Sequence, residues 1–198
     1  MTDVVETRPV RADDVAELAR LFGSQRTTEH CWCMSFCVPH GQFAVGWVTG
    51  GNRRRFASMA ADEPTPMGIL ASEAGRPVGW CACGPRSRYA AALDTRSTPM
   101  PDRSPAEDED VWLLPCLFVR QGHRGRGVTR TLVTAAVDLA RTSGATAIEG
   151  WPLAKTEGRP ADAFLGREQL FEDLGFRPVG RPSASRVIMR LELTPAAG

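Results

Sequence analysis

Apolar positions along the chain follow two periods. In residues 128–141, Val128, Leu132, Ala135, Ala136, Leu139 and Ala140 recur at helical spacing with polar residues between them, which predicts an amphipathic helix. Val15, Leu18, Ala19, Leu21 and Phe22 show the same spacing after Asp13 and Asp14, acids that suit the first turn of a helix. Residues 52–61 read as a helix capped by Asn52, with Arg53, Arg54 and Arg55 in the first turn, the wrong end for positive charge in dipole terms. A further helix is predicted over 161–174, ending at Gly175. Short apolar runs bounded by turn residues predict strands over 4–10, 67–72, 77–83, 111–119, 145–151, 176–180 and 186–193, the second and third joined as a hairpin by Glu73-Ala74-Gly75-Arg76. Residues 24–51 are aromatic and cysteine-rich and keep no single period. The order is β-α-α-β-β-β-α-β-α-β-β, a mixed α/β domain.

At 198 residues the chain is expected to be one domain over 1–198, with a long flexible loop over 94–110, where Pro, Ser and acids leave almost no apolar residue, and a disordered tail over 194–198. A net charge of +1 gives no general pull toward nucleic acid or a membrane surface. No apolar run approaches the ~20 residues that span a bilayer, and the N-terminus has no signal-peptide pattern. A cytoplasmic location with reduced cysteines is therefore expected.

The chemistry concentrates in residues 117–129, Leu-Phe-Val-Arg-Gln-Gly-His-Arg-Gly-Arg-Gly-Val-Thr. An apolar strand runs into a Gly- and Arg-rich loop and then into a helix. Glycines allow close backbone approach, the first amides of a helix are unpaired, and guanidinium groups suit phosphate. Three phosphate templates can be tested. A P-loop would place Lys where Val128 stands, and a dinucleotide fingerprint would need a third Gly where Arg130 stands. Both fail.

The third template fits. Arg124-Gly125-Arg126-Gly127-Val128-Thr129 resembles the acetyl-CoA loop of the GNAT superfamily of N-acetyltransferases, whose pattern is Gln/Arg-x-x-Gly-x-Gly/Ala, departing only at Thr129. The preceding strand, the following helix, Leu174-Gly175-Phe176 and the opening Arg8-Pro9-Val10-Arg11-Ala12-Asp13-Asp14 are similar to the family's elements, so the resemblance covers nearly the whole chain. It implies a GNAT fold, with a central mixed, mostly antiparallel sheet of about seven strands and about four helices. It also implies acetyl-CoA as co-substrate and a primary amine as acceptor, transferred directly in a ternary complex, with no metal. Neither nucleic acid nor membrane is an expected partner, and a homodimer is left open.

Residue by residue, the resemblance implies that Leu117, Phe118 and Val119 pair with the pantetheine arm. Gly125, Arg126, Gly127, Val128, Thr129 and Arg130 would wrap the pyrophosphate, with Arg124 nearby. The family commonly places a glutamate on the strand after this helix, which here is Glu149, a lone acid in an apolar strand. It is either the general base, accepting a proton from an amine of ordinary pKa about 10.4, or a salt-bridged structural residue. The family's leaving-group tyrosine is replaced by Phe171, and an asparagine often found before it maps to Phe164. Loss of that tyrosine keeps open an alternative, a non-catalytic acyl-CoA-binding regulator.

Tyr89, the chain's one tyrosine, follows the third strand and is a candidate for the acceptor cleft or a loop anchor. His30, Cys31, Cys33, Cys37 and His40 carry ligand-type side chains, but Cys-x-Cys-x₃-Cys is not zinc spacing. Trp32, Met34 and Phe36 alternate with the thiols as buried packing would. Cys-Trp-Cys-Met is similar to a segment near the acceptor side of a GNAT subgroup, so Trp32 and Trp80 are expected to wall the acceptor pocket. Residues 102–110 are acidic, either a solvated run or an attractor for a cationic acceptor.

Overall fold

The computed structural model describes residues 4–93, 100, 103–154 and 166–194. The 4–10 run forms β1 (Val5–Pro9) and the first periodic segment forms α1 (Val15–Phe22). Residues 24–51, which keep no single period, fold into α2 (Arg26–Cys31), a 3-10 turn at Met34–Phe36 and α3 (His40–Thr49). Trp32 and Cys33 take positive φ of 51° and 57° between them, a reversal that breaks any continuous pattern. α4 spans Gly51–Asp62. Asn52 does not cap it. The helix begins after Gly50 in the left-handed region, and Asn52 is fully buried within it, donating to the carbonyls of His30 and Phe43 at 2.9 and 3.3 Å. Asn52 thus ties α4 to α2 and α3.

β2 (Gly68–Glu73) and β3 (Arg76–Pro85) form the expected hairpin around Ala74 and Gly75, both at positive φ, as a tight two-residue turn requires. A short α5 (Ala90–Leu93) follows. Then come β4 (Val111–Val119), α6 (Val128–Thr142), β5 (Ala147–Gly150), α7 (Glu168–Asp173), β6 (Arg177–Ser183) and β7 (Arg186–Glu192). The helix expected over 161–174 is shorter. Gly166 takes φ +73° and Arg167 is extended, so helical geometry starts only at Glu168, while residues 161–165, including Phe164, lie outside the described residues. Residues 94–99, 101–102 and 195–198, parts of the expected loop and tail, also lie outside them. The described part of that loop is not a bare solvated run: a 3-10 turn at Pro105–Glu107 is followed by Asp108, which accepts two hydrogen bonds from Arg103. Seven α-helices stand among the described residues where about four were expected.

The strands make one seven-stranded sheet in the order β1-β2-β3-β4-β5-β7-β6. Every neighbouring pair is antiparallel except β4 with β5. α6 covers one face with Val128, Leu132, Val133 and Ala136, over Ile69, Cys81, Trp112 and Leu117. α1 and α4 cover the other with Leu18, Phe22 and Phe56, over Leu70, Trp80, Cys116 and Phe118. The near-continuous burial of β4 follows from being covered on both faces.

Candidate active site

β4 is paired on one side over most of its length and on the other for only part of it. Its partner β5 runs in register from Val111 opposite Ala147 to Leu114 opposite Gly150. From Pro115 to Val119 no described strand pairs with that edge. The chain after Gly150 turns away toward β7, where Val187 donates to the Pro152 carbonyl at 3.3 Å. Among the described residues the two parallel strands therefore part beyond Leu114 and Gly150, leaving a wedge on that side of β4. A bulge lies at its mouth: Ala82 pairs with Cys116 and Gly84 with Leu113, so Cys83 alone faces both Leu114 and Pro115. The extra residue resets the alternation and turns both Leu113 and Cys116 away from α6.

Beyond Val119 the chain makes a 3-10 turn at Gln121–His123 and enters α6 through Gly125 at φ +74° and Gly127 at φ +82°. Side chains rarely adopt this backbone, which is why the loop is glycine-rich. α6 has no side-chain cap, and its first capping bond is Thr131 donating to the Gly127 carbonyl at 3.1 Å. Among the described residues the amides of Gly127, Val128, Thr129 and Arg130 donate to no backbone carbonyl. Four N–H groups at the positive end of a fifteen-residue helix form an anion cradle.

The arginines of the loop are already engaged. Arg126 holds Glu73 bidentately at 2.7 and 3.2 Å, and His123 Nδ1 stands 2.8 Å from the same carboxylate. Glu73 is 8% exposed and sits at the end of the β2–β3 hairpin, so a distant element clamps this loop. Arg124 donates to the Val119 carbonyl at 3.1 Å and Arg130 to Asp173 at 2.7 Å. Arg120 lines a cavity of about 490 Å³ between the loop and residues 24–25, which Phe118 also lines.

Glu149, 3% exposed, faces the side of the sheet away from α6, opposite Leu113 on β4 and Arg190 on β7. Its Oε1 accepts from Arg190 at 3.2 Å. Its Oε2 lies 3.9 Å from Arg86 and accepts no hydrogen bond. Burial pushes the carboxyl above its ordinary value, and the guanidinium groups of Arg86 and Arg190 pull part of the way back. Glu149, Arg86 and Arg190 line a cavity of about 510 Å³, together with Arg103, Glu107 and Arg181. Glu107 accepts from Arg86 at 3.2 Å, so the acidic run at 102–110 partly serves to neutralise this buried arginine.

Trp32 and Trp80, 3% and 0% exposed, meet around a separate apolar cavity. Tyr89 does not join them. It is buried with Leu113, Trp151 and Ile188, and its hydroxyl has no hydrogen-bond partner. Phe171 is fully buried, edge-on to Phe176 at 5.0 Å, and its ring packs where a Cβ on Gly150 would stand. It has no proton to donate at this position. Among the described residues no group of three or more His, Cys, Asp or Glu is arranged to hold a metal ion. Sequence reasoning missed Arg86, Arg190, Glu73 and His123. Arg190 had a weak signal, a charge within an apolar strand; the others had none, because their partners are distant in sequence.

A bulged strand that parts from its parallel neighbour and leads into a glycine-rich helix start defines an anion-binding α/β class. The family model described as Acetyltransferase (GNAT) family matches residues 27–169, and the chain belongs to that family. Its fold is similar to that of an acetyltransferase from Thermus thermophilus, at TM-score 0.54 and 18% identity, with 98% of this chain and 100% of that one covered. The paia N-acetyltransferase from Thermoplasma acidophilum, in complex with coenzyme A, gives 0.54 at 9% identity over 96% and 99%. The structure of yncA from Salmonella typhimurium with its cofactor acetyl-CoA gives 0.51 at 16% over 98% and 96%. No curated protein matches the chain.

Proposed function

We propose that the chain transfers the acetyl group of acetyl-CoA to a primary amine, directly and within a ternary complex. The observation that carries this is the run of amides from Gly127 to Arg130 that, among the described residues, donate to no backbone carbonyl, following a strand that no described strand pairs on the β5 side beyond Leu114. In this reading Leu117, Phe118 and Val119 pair with the pantetheine arm, and residues 125–130 hold the pyrophosphate through backbone N–H groups. Acetyl-CoA supplies an activated thioester. The amine nitrogen bonds to the thioester carbon, the carbon–sulfur bond breaks, and coenzyme A leaves as thiolate. Glu149 takes the amine proton, directly or through one water, and its raised pKa makes it a stronger base than an ordinary carboxylate. Six free thiols suit a reducing, cytoplasmic setting. The test is a thermal-shift titration with acetyl-CoA, followed by thiol release over an amine panel. No shift at millimolar coenzyme A defeats the reading.

Phe171, without a donor where the family's tyrosine stands, favours a second reading, a non-catalytic acyl-CoA sensor. Binding without thiol release from any amine selects it.

Arg126 acts through Glu73 in this proposal rather than as a direct phosphate ligand. Glu73→Gln and Arg126→Gln are each expected to raise the KM for acetyl-CoA about tenfold, since each loses a charge-assisted pair. The double variant is expected to match the singles, because both remove the same clamp. Additive losses in steady-state kinetics, or a far larger loss for Arg126→Gln, would show Arg126 on the phosphates. The acceptor KM is expected to stay level, which separates a loop effect from general loosening.

A further inference from the structure

An apolar cavity of about 110 Å³ lies on the face of β4 turned toward α1 and α2. Phe22, Trp32, Trp80, Phe118, Cys33 and Cys116 form much of its wall. The wall is well fixed. Phe22 meets Trp32, Trp80 and Phe118 edge-on at 5.0, 6.0 and 6.5 Å, and the Trp80 indole N–H donates to Cys33 Sγ at 3.4 Å. The adjacent Cys116 thiol, with burial, holds the Cys33 thiol well above its ordinary value, so it presents a neutral surface.

Position along β4 assigns the occupant. The cavity beside Arg120–His123 and the apolar cavity share Phe118. Next along the strand comes Cys116, and then Leu113, which stands opposite Glu149 and its charged cavity. An arm laid along Leu117–Val119 brings its thioester end to Cys116, between the apolar cavity and the ionic one. The amine has to reach Glu149, whose cavity shares no wall residue with the apolar one. The apolar cavity offers no charge for an ammonium group and no base to take its proton.

We propose that this cavity receives the acyl chain of the thioester, so that the enzyme takes acyl groups of three or more carbons as well as acetyl. The proposal rests on the cofactor reading above. A water-sized group needs about 10–15 Å³ of such space, so an acetyl methyl leaves most of it unfilled. The chemistry is unchanged by the longer chain: the nitrogen–carbon bond forms, the carbon–sulfur bond breaks, the amine proton goes to Glu149, and coenzyme A leaves as thiolate.

The test is calorimetric titration of the full chain with coenzyme A, acetyl-CoA, propionyl-CoA and butyryl-CoA, with thiol release to a common amine as a second readout. Kd is expected to fall about fourfold with each methylene from acetyl to butyryl, the transfer value of a buried CH₂ group. Cys31→Phe at the rim of the cavity is expected to cut the ratio of acetyl to butyryl Kd to about twofold or less. Butyryl-CoA binding no tighter than acetyl-CoA in the unaltered protein overturns the acyl-cavity proposal alone. Failure of all four to bind overturns the cofactor reading with it.

Discussion

Gly127→Glu is expected to abolish coenzyme A binding while leaving the fold intact. Gly127 sits at φ +82° as the residue before α6, and a Cβ there meets nothing within 4 Å. The substitution therefore costs left-handed backbone strain of about 1–2 kcal/mol, without a clash. A carboxylate at the head of α6 also satisfies the same amides and helix dipole that would otherwise hold pyrophosphate. The variant thus carries its own competing anion, tethered at the site. Loss of two or three charge-assisted hydrogen bonds at about 1.5–3 kcal/mol each predicts a fall in affinity of at least about 100-fold. Calorimetry with coenzyme A measures it. Gly127→Ala is the control, since it carries the same left-handed strain but brings neither charge nor a hydrogen-bond acceptor to the amides; it is expected to keep most of the affinity. A Kd for the Glu variant close to that of the unaltered protein would remove residues 125–130 from the cofactor site.

The second large effect is expected at Glu149. Glu149→Gln keeps the shape of the side chain and removes its capacity to accept a proton. Turnover is expected to fall about 10²–10⁴-fold, the range for a lost general base, with coenzyme A affinity held, because Glu149 stands on β5 opposite Leu113, toward the other end of β4 from the loop. In the unaltered enzyme kcat/KM is expected to rise with pH as Glu149 loses its proton. The midpoint should stand above the ordinary carboxylate value of about 4.3, since burial raises this carboxyl. Arg190→Met sharpens the test. The guanidinium at 3.2 Å favours the charged carboxylate, so its removal is expected to move the acid limb to higher pH with turnover largely kept above it. A Gln variant with unchanged turnover and the same pH profile would make Glu149 a salt-bridge residue only.

The two expectations differ in how much of them the sequence carried. The anion loop was legible because its parts are local. Glycines at 125 and 127, a buried strand before them and a period-3.6 helix after them are contiguous, and each imposes its own backbone geometry. Glu149 was legible only as an anomaly, an acid in an apolar strand. Its partners, Arg86 from the end of β3 and Arg190 from β7, are brought to it by strand order, and that order is a property of the whole sheet. Tyr89 shows the opposite case. Its sequence position after β3 suited a cleft, but the turn at Arg86–Tyr89 buries the ring against Leu113 and Trp151.

Local sequence thus determined the strands, α1 and α6, the β2–β3 hairpin turn and the phosphate-type loop, because backbone preference and hydrophobic period act over a few residues. It did not determine where α7 begins, what Asn52 does, or how residues 24–51 fold, since these depend on contacts made after collapse. Nor did it determine the clamp of Glu73 on Arg126, fifty-three residues apart, or the apolar cavity. That cavity joins Phe22, Trp32, Trp80 and Phe118 from four segments. Charge pairing and cavity shape depend on distance in space, and only the folded sheet sets those distances.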